Sequence, residues 1–371
     1  MNQINLAYQR AIDIINKCCT KNGIYASAYG YTAIWARDSM IAFLGASLVK
    51  NSQFKECFKK TLAALSKYQS ELGEIPNNID LWSSRKKKVT FASIDSSLWY
   101  IIGHYVYAKR YNDNSLLKRY RKNINKALLW VEYQDAGNDL LPEQQPTTDW
   151  QDAFPHKYGH VLNTQALYYC VFKLLKDKKL IKIKKIINGK MRKDMDFFNH
   201  KEGFYLPWIW KSHDSIREEA HWFDSLGNLL MVVFGAADKS KGKKILGYIT
   251  KHKINMPYPV KALYPPFKKG TKEWKKYFEK CDAKLPYHYL NAGIWPYIGG
   301  FYILALIRYK KFEEAQKELE KLAESCLKGK SFPEWLDGKT GKPHGKYQAW
   351  DAGMYILAYE SLKKKRVLLQ I

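Results

Sequence analysis

Six apolar segments recur about sixty residues apart, and this repeat restricts the fold more than any other feature of the chain. Each segment follows a loop rich in Gly, Pro, Trp and polar residues. With landmarks at Asp38, Asp95, Asn163, Asp224, Ala292 and Ala352, the steps are 57, 68, 61, 68 and 60 residues. The segments are apolar on nearly every side, which is typical of helices that are buried all round.

Amphipathic stretches rich in Lys and Glu separate these segments, and their spacing predicts helices with one solvated face. They cover residues 2–18, 54–69, 115–133, 180–198, 241–251 and 311–327. Six buried helices alternating with six amphipathic ones predict an all-α (α/α)6 toroid, with residues 1–371 as a single domain. The strand signals of a sandwich or a doubly wound sheet are missing. An open solenoid of helix pairs is the alternative, but it would lack a uniformly apolar inner set.

In such a toroid the six inner helices run parallel, so the loops that precede them gather at one end. These loops are residues 19–34, 70–90, 134–157, 199–219, 253–289 and 328–346. They carry a large share of the Trp, Pro and His residues and of the carboxylates. We therefore expect the functional site at this end, which we call the mouth.

The chain is strongly basic, with 62 Lys and Arg against 35 Asp and Glu, a formal charge of +27. The lysines alternate with Leu and Ile at helical spacing, which favours solvated outer helix faces over a nucleic-acid site. A nucleic-acid binder stays open as a rival, but we expect no specific nucleic-acid partner. No apolar run has the length of a membrane span, so no membrane partner is expected.

Six cysteines, at positions 18, 19, 57, 170, 281 and 326, fit neither a zinc site nor a small disulfide scaffold. With no segment that resembles a signal peptide, they predict a reduced, cytoplasmic protein. His156 and His160 have a spacing that suits a metal on a helix, but no fuller ligand set accompanies them. We expect no metal site.

Eight carboxylates are predicted at the mouth, and two of them stand among aromatic residues. The eight are Asp38, Asp95, Asp149, Asp152, Asp224, Glu334, Asp337 and Asp351. Asp95 begins a buried helix next to Trp99, and Glu334 lies between Pro333 and Trp335. Apolar neighbours raise the pKa of a carboxyl, as an acid catalyst requires. The alternatives are an N-cap role for Asp95, a solvent-facing Glu334 and a buried structural pair of Arg37 with Asp38.

Five short motifs, in the same order along the chain, resemble those of the inverting glycosidases of the (α/α)6 superfamily. The resemblance is closest to the amylo-α-1,6-glucosidase domain of glycogen debranching enzymes and to neutral/alkaline invertases. It is more distant to glucoamylases. The five motifs are IWARDS at 34–39, SIDSSLW at 93–99, DWQDA at 149–153, YHYLNAGIWP at 287–296 and FPEWLDG at 332–338. Each motif alone is weak evidence, but their order along nearly the whole chain is strong evidence.

The resemblance implies that Asp95 is the general acid and Glu334 the general base of a single displacement, a reaction that needs two carboxylates and no cofactor or metal. The implied substrate-binding residues are Trp35, Arg37, Asp38, Asp149, Trp150, Asp152, Asn163, Gln165, His288, Asn291, Trp295, Gln348 and Trp350. We expect Asp95 and Glu334 to project into one sugar-sized cavity from opposite sides.

The predicted function is hydrolysis of an α-glucosidic bond in a small oligosaccharide or glucoside, so the expected partner is a small carbohydrate. Ala153 stands where invertases carry Arg, which favours a glucosidase or debranching-type substrate over sucrose. Asn163 and Ala292 also depart from the family pattern, at positions where many relatives carry Glu and Gly. A neutral/alkaline invertase and a non-catalytic, carbohydrate-binding toroid remain the alternatives.

Overall fold

The structure, a computed structural model, describes residues 2–84, 86–212, 216–329 and 331–371. Its helices are α1 Gln3–Cys18, α2 Ala36–Ala46, α3 Ser52–Lys67, α4 Ile94–Tyr111, α5 Ser115–Arg119, α6 Arg121–Glu132, α7 Leu162–Leu175, α8 Lys179–Ile187, α9 Ser225–Phe234, α10 Lys239–Lys251, α11 Pro296–Arg308, α12 Phe312–Leu327 and α13 Ala349–Lys363. Short 3-10 helices cover Lys193–Met195, Lys276–Lys280 and Asp282–Lys284.

Fourteen strands of two to four residues lie between the described helices. They are β1 Cys19–Thr20, β2 Gly23–Ile24, β3 Ile34–Trp35, β4 Asn78–Ile79, β5 Val89–Thr90, β6 His160–Val161, β7 Phe198–Asn199, β8 Phe204–Tyr205, β9 Trp208–Lys211, β10 Arg217–Glu219, β11 Phe223–Asp224, β12 Leu263–Tyr264, β13 Trp335–Leu336 and β14 Pro343–His344. They pair into small antiparallel sheets, including the three-stranded sheets β3-β4-β5 and β10-β9-β6. Their pairing holds the loops that precede the inner helices together.

The inner helices form a closed ring, in which α2, α4, α7, α9, α11 and α13 each contact the next and α13 returns to α2. Every residue of α2 and of α9 is buried, as the apolar patterning predicts. The outer layer consists of α1, α3, α6, α8, α10 and α12, each packed against an inner helix. The predicted all-α (α/α)6 toroid is confirmed. Among the described residues, no helix is both long enough and apolar enough to cross a membrane.

One predicted outer helix is shorter than its sequence pattern. The stretch 180–198 forms helix only to Ile187 in α8, and a 3-10 turn and the start of β7 follow. Gly189, with a φ of 68°, takes the left-handed conformation that commonly ends helices. The residues beyond this point therefore do not continue the helix, although the stretch up to residue 198 has a helical pattern in the sequence.

Two glycines allow the ring to close between α2 and α13. A Cβ on Gly45 would lie 1.7 Å from the carbonyl oxygen of Gly353, and a Cβ on Gly353 would lie 2.2 Å from that of Ala42. The two backbones are therefore in direct contact, and no other residue fits at either position. Residues 42 and 45 approach 353 and 357 in the same order, which shows that these two helices run parallel.

We expect Gly353→Ala to lower the free energy of unfolding by about 3 kcal/mol or more, because the added methyl group overpacks a backbone contact. The matched control is Gly247→Ala on the exposed face of α10, where a Cβ meets nothing within 4 Å. That change should stabilise the protein by about 0.5–1 kcal/mol, since alanine loses less backbone entropy in a helix. Urea unfolding followed by circular dichroism measures both, and equal effects would contradict the close contact.

Candidate active site

A small cavity opens at the mouth, where α2, α11 and α13 begin. Its lining consists of Tyr31, Trp35, Arg37, Asp38, Trp150, Asp152, Tyr289, Trp295, Glu334, Gln348 and Trp350. Nine of these eleven residues were predicted for the site from the sequence. Its volume is about 60 Å³, room for about two water molecules. A sugar ring therefore requires the cavity to widen.

Two lining residues, Tyr31 and Tyr289, escaped the sequence analysis. Tyr31 is 41 % exposed, and its side chain hydrogen-bonds Glu334. The ring of Tyr289 packs against Trp295, and the indole N–H of Trp295 donates to the carbonyl oxygen of Tyr289 at 3.1 Å. Nothing in the sequence distinguishes Tyr31 among 27 tyrosines, whereas Tyr289 lies within the motif at 287–296 that resembles the glycosidases.

Aromatic rings form much of the cavity wall. Trp150 meets Trp295 edge to face at a centroid distance of 5.6 Å. Trp350 stacks on Tyr297 at 4.2 Å with an interplanar angle of 17°. All four residues are buried, so these rings belong to the core as well as to the cavity. Flat apolar walls of this kind suit the faces of sugar rings.

Glu334 is partly buried at the cavity, at the start of the β13–β14 hairpin. Trp335 stacks on His344 across this hairpin at 3.9 Å. Gly345, with a φ of 70°, lies directly behind Glu334, since a Cβ there would be 2.8 Å from the Cβ of Glu334. The carboxyl of Glu334 is therefore held toward the cavity, and the solvent-facing alternative is wrong.

Burial, together with the nearby carboxylates of Asp38 and Asp152, raises the pKa of Glu334 to about 8, against the hydrogen bond from Tyr31. Burial also raises the pKa of Asp38 to about 6, although Arg37 opposes this rise. Neighbouring carboxyls oppose one another's ionisation. The raised pKa values of Glu334 and Asp38 therefore favour retention of a proton at the cavity.

Asp95 lies beneath the cavity and does not line it. Its carboxylate is wholly buried and accepts hydrogen bonds from Nη1 of Arg37 at 3.1 and 3.2 Å and from the hydroxyl of Ser93. The expectation that both predicted catalytic carboxyls open into the cavity is therefore wrong for Asp95 in this structure. The N-cap alternative is also wrong, because the N-cap residue of α4 is Ser93.

Arg37 connects the buried and the cavity carboxyls. It lines the cavity, donates to Asp95, and places its Nε 3.7 Å from Oδ2 of Asp38. Its pKa is raised, because the charges of Asp95, Asp38 and Asp152 outweigh the opposing effect of burial. The expected Arg37–Asp38 pair is therefore present, but the closer partner is Asp95. Burial raises the pKa of Asp95, and Arg37 opposes that rise.

Asp149 was predicted to bind substrate, but its carboxylate oxygens accept hydrogen bonds from neighbouring residues of the protein. They accept from Nζ of Lys157 at 2.7 Å, from Nε2 of Gln144 at 3.3 Å and from the backbone N–H of Gln151 at 2.9 Å. Lys157 is itself buried and donates also to Oε1 of Gln151 at 2.7 Å. This network holds the loop that brings Trp150 and Asp152 to the cavity. Sequence analysis missed Lys157.

Four further predicted substrate ligands lie outside the cavity lining. Asn291 is saturated: it accepts from the N–H of Phe267 at 2.7 Å and donates to the carbonyl oxygens of Phe267 and Ala283 at 3.1 and 3.0 Å. His288 pairs with Asp337 at 3.1 Å.

The remaining two predicted ligands are on α7. Gln165 donates to the carbonyl oxygen of Pro142 at 2.7 Å. Asn163 is buried, and neither of its amide atoms has a partner among the described residues. His156 bonds Tyr277 at 2.9 Å and His160 faces Asp139 at 3.4 Å, so the two histidines do not share a partner.

The sequence matches the family model described as alkaline and neutral invertase over residues 191–365, a range that contains Glu334 but not Asp95. Among curated proteins, it is 24% identical over 325 residues to neutral/alkaline invertase 1, mitochondrial, of Oryza sativa subsp. japonica, covering 71% of this chain and 50% of the relative. Alkaline/neutral invertase C, mitochondrial, of Arabidopsis thaliana is 22% identical over 329 residues, 73% of this chain and 48% of the relative. The chain thus spans about half the length of these relatives.

Solved structures share the fold at low sequence identity. A GH63 mannosylglycerate hydrolase from Thermus thermophilus has a TM-score of 0.70 at 12% identity and covers 94% of this chain and 99% of its own. A bacterial glucoamylase complexed with acarbose has a TM-score of 0.66 at 16% identity, covering 99% of this chain and 57% of its own. The predicted resemblance to (α/α)6 glycosidases is confirmed. The chain is therefore similar in sequence to neutral and alkaline invertases and shares the (α/α)6 fold of these solved glycosidases.

Proposed function

We propose that this chain hydrolyses an α-glucosidic bond of a small oligosaccharide or glucoside with inversion, using Asp95 as general acid and Glu334 as general base. One observation carries the proposal: a single guanidinium, that of Arg37, lies in an aromatic-walled cavity with Glu334 while it holds the carboxylate of Asp95. Inversion needs one protonated and one ionised carboxyl on opposite sides of the scissile bond.

Movement of Arg37 would set both protonation states. When sugar hydroxyls enter and Arg37 turns to them, Asp95 loses the charge that opposes its burial-raised pKa, and it becomes a proton donor. The same movement brings positive charge toward Glu334, Asp38 and Asp152, which lowers the pKa of Glu334 and favours its ionised, water-activating form. Tyr31, exposed at the opening, is the side chain that must yield to admit the ring.

The substrate has two candidates. The narrow cavity favours a small glycoside, and Ala153 favours an α-glucoside of the amylo-α-1,6-glucosidase or glycogen debranching type. The invertase relatives support sucrose as the second candidate. A cytoplasmic location is compatible with either substrate. It is also compatible with the six cysteines, none of which forms a disulfide in the structure. A carbohydrate-binding toroid without turnover is the rival that the experiments must exclude.

Incubation with maltose, isomaltose, sucrose, trehalose and glucosylglycerate tests the reaction. We expect turnover of at least one α-glucoside, with β-glucose as the first anomer released, because water attacks the face opposite the leaving group. Proton NMR resolves the anomers before they equilibrate. Release of the glucosyl unit of sucrose or glucosylglycerate as α-glucose would overturn the single displacement, because their leaving groups contain no glucose. Binding without any turnover would favour the non-catalytic rival.

The pH profile tests the role of Glu334. Because one carboxyl of the pair must be ionised and the other protonated, the pH profile of kcat/KM should have a limb near 8, the pKa of Glu334. A profile without a limb near this value would contradict the place of Glu334 in the catalytic pair. Glu334→Gln should lower kcat by about 10²–10⁴-fold, and the exposed Glu313→Gln on α12 is the matched control.

Thermal unfolding of Glu334→Gln checks the same pKa independently of activity. The folded protein retains a proton on Glu334 that the unfolded chain releases, so wild-type stability falls between about pH 4.3, the ordinary pKa of Glu, and the raised value. Glutamine cannot ionise, so the Tm of the variant should exceed that of wild type by more at pH 9 than at pH 5. A constant difference would mean that the pKa is not raised.

Asp95→Asn tests the acid. We expect a loss of about 10²–10⁴-fold with a sugar leaving group, because that oxygen must be protonated as it departs. With α-glucosyl fluoride the loss should be much smaller, since fluoride departs without general-acid help. An equal loss on both substrates would show that Asp95 only positions Arg37.

A further inference from the structure

A second cavity of about 450 Å³ lies beside the catalytic one and shares a loop with it. We call it the aromatic groove. Within residues 149–158, Trp150 and Asp152 line the catalytic cavity, whereas His156 and Tyr158 line the aromatic groove. The groove is several times larger than the catalytic cavity, and its volume falls within the range of about 300–1,000 Å³ that ligand pockets occupy.

Aromatic rings form one wall of the groove. Tyr158 packs on Trp208 with centroids 4.5 Å apart and the planes tilted by 32°. The ring centroid of Tyr158 lies 5.6 Å from that of His156 and 6.2 Å from that of Trp210. Trp208 is only 7 % exposed, yet its indole N–H has no partner among the described residues. Four other buried indole N–H groups share this feature, those of Trp150, Trp222, Trp274 and Trp350. Trp208 differs from Trp222 and Trp274 in lining the groove, where its N–H is a candidate donor to a ligand with hydroxyl or carbonyl oxygens.

The charged part of the lining comes from β10, the edge strand of the β10-β9-β6 sheet and the neighbour of the strand that carries Trp208. Glu218 accepts from the hydroxyl of Tyr158, and Glu219 pairs with Arg217 and with His221, the latter at 3.0 Å. Carboxylates and a guanidinium fixed in this way are the groups that bind sugar hydroxyls without needing a charged ligand.

The charge of the groove is balanced although the chain is strongly basic. Three carboxylates, Glu218, Glu219 and Glu273, face three cations, Arg217, Lys272 and Lys275. A polyanion would prefer the lysine-rich outer helices α8 and α10, which contain no Asp or Glu of their own. Aromatic faces combined with a neutral set of polar groups suit a neutral carbohydrate.

We propose that the aromatic groove is a second carbohydrate-binding site, separate from the catalytic cavity, which takes a neutral oligosaccharide on Tyr158 and the Trp208 N–H. Lys157 connects the two sites. It stands between His156 and Tyr158 in the chain, and its Nζ bonds Asp149 and Gln151 at 2.7 Å on either side of Trp150. A sugar that fixes Tyr158 therefore also fixes the segment that supplies Trp150 and Asp152 to the catalytic cavity.

Calorimetric titration of the Glu334→Gln protein with maltotriose tests the proposal, because this variant binds without hydrolysis. We expect Tyr158→Ala, added to that background, to weaken one class of binding at least tenfold and leave any other class unchanged. Tyr120→Ala is the matched control, since Tyr120 is another partly buried tyrosine and lies between the outer helices α5 and α6. Glu218→Gln, which alters a side chain at the groove surface, serves as a second variant if Tyr158→Ala fails to fold.

Binding that is unchanged in both Tyr158→Ala and Glu218→Gln, or no binding beyond a single class abolished by changes at the catalytic cavity, would overturn the second site. The proposal does not depend on turnover. If no glycoside is hydrolysed but the Tyr158-dependent binding remains, the proposed function is wrong and the second binding site is supported. If turnover is found without that binding, only the second binding site is wrong.

Discussion

The closed ring of inner helices is the constraint on which the rest of the structure depends. Each inner helix touches two inner neighbours and the outer layer, so its sides are committed to packing and its polar groups concentrate at its two ends. Asp38, Asp95 and Asp351 occupy the first turns of α2, α4 and α13. Helix N-termini favour negative charge, so several of them meeting at one end of a barrel suit a cluster of carboxyls. The mouth is acidic because it is the end of the ring at which the N-termini of the inner helices place their polar side chains.

This acidic interior sits within a strongly basic protein, and the two charge distributions have little influence on each other. The lysines are spread over solvated helix faces, where ions screen them within about 8–10 Å. Inside, Arg37 is shared by Asp38, Asp95 and the more distant Asp152, and these carboxyls compete for it at low dielectric. Burial, with the added effect of Asp38 and Asp152, raises the pKa of Glu334 to about 8. The net charge of the chain therefore says little about the chemistry of its site.

The ring and most of the cavity could be predicted, because each depends on local sequence. A helix buried all round is apolar at every position, and Trp35, Arg37 and Asp38 reach the cavity simply by standing where an inner helix begins. The failures arise where a side chain meets a partner distant in sequence. The bond from Arg37 to Asp95 depends on the register of α2 against α4, and the saturation of Asn291 depends on how residues 267 and 283 fold around it. Lys157 was hidden for a different reason: in a chain so rich in lysine, a buried one has no distinguishing pattern.

The buried position of Asp95 bears directly on how such a site would separate acid from base. Two buried carboxyls both tend to hold protons, since burial raises the pKa of each. Inversion, however, requires one of them to be protonated and the other ionised. A shared guanidinium separates the two pKa values only if it changes partners, because Arg37 placed on Asp95 opposes the burial-raised pKa of the carboxyl that must donate the proton. The structure has Arg37 in this unfavourable pairing with Asp95. Substrate hydroxyls that draw Arg37 away would convert it to the active one, so that sugar binding itself would assign the two protonation states.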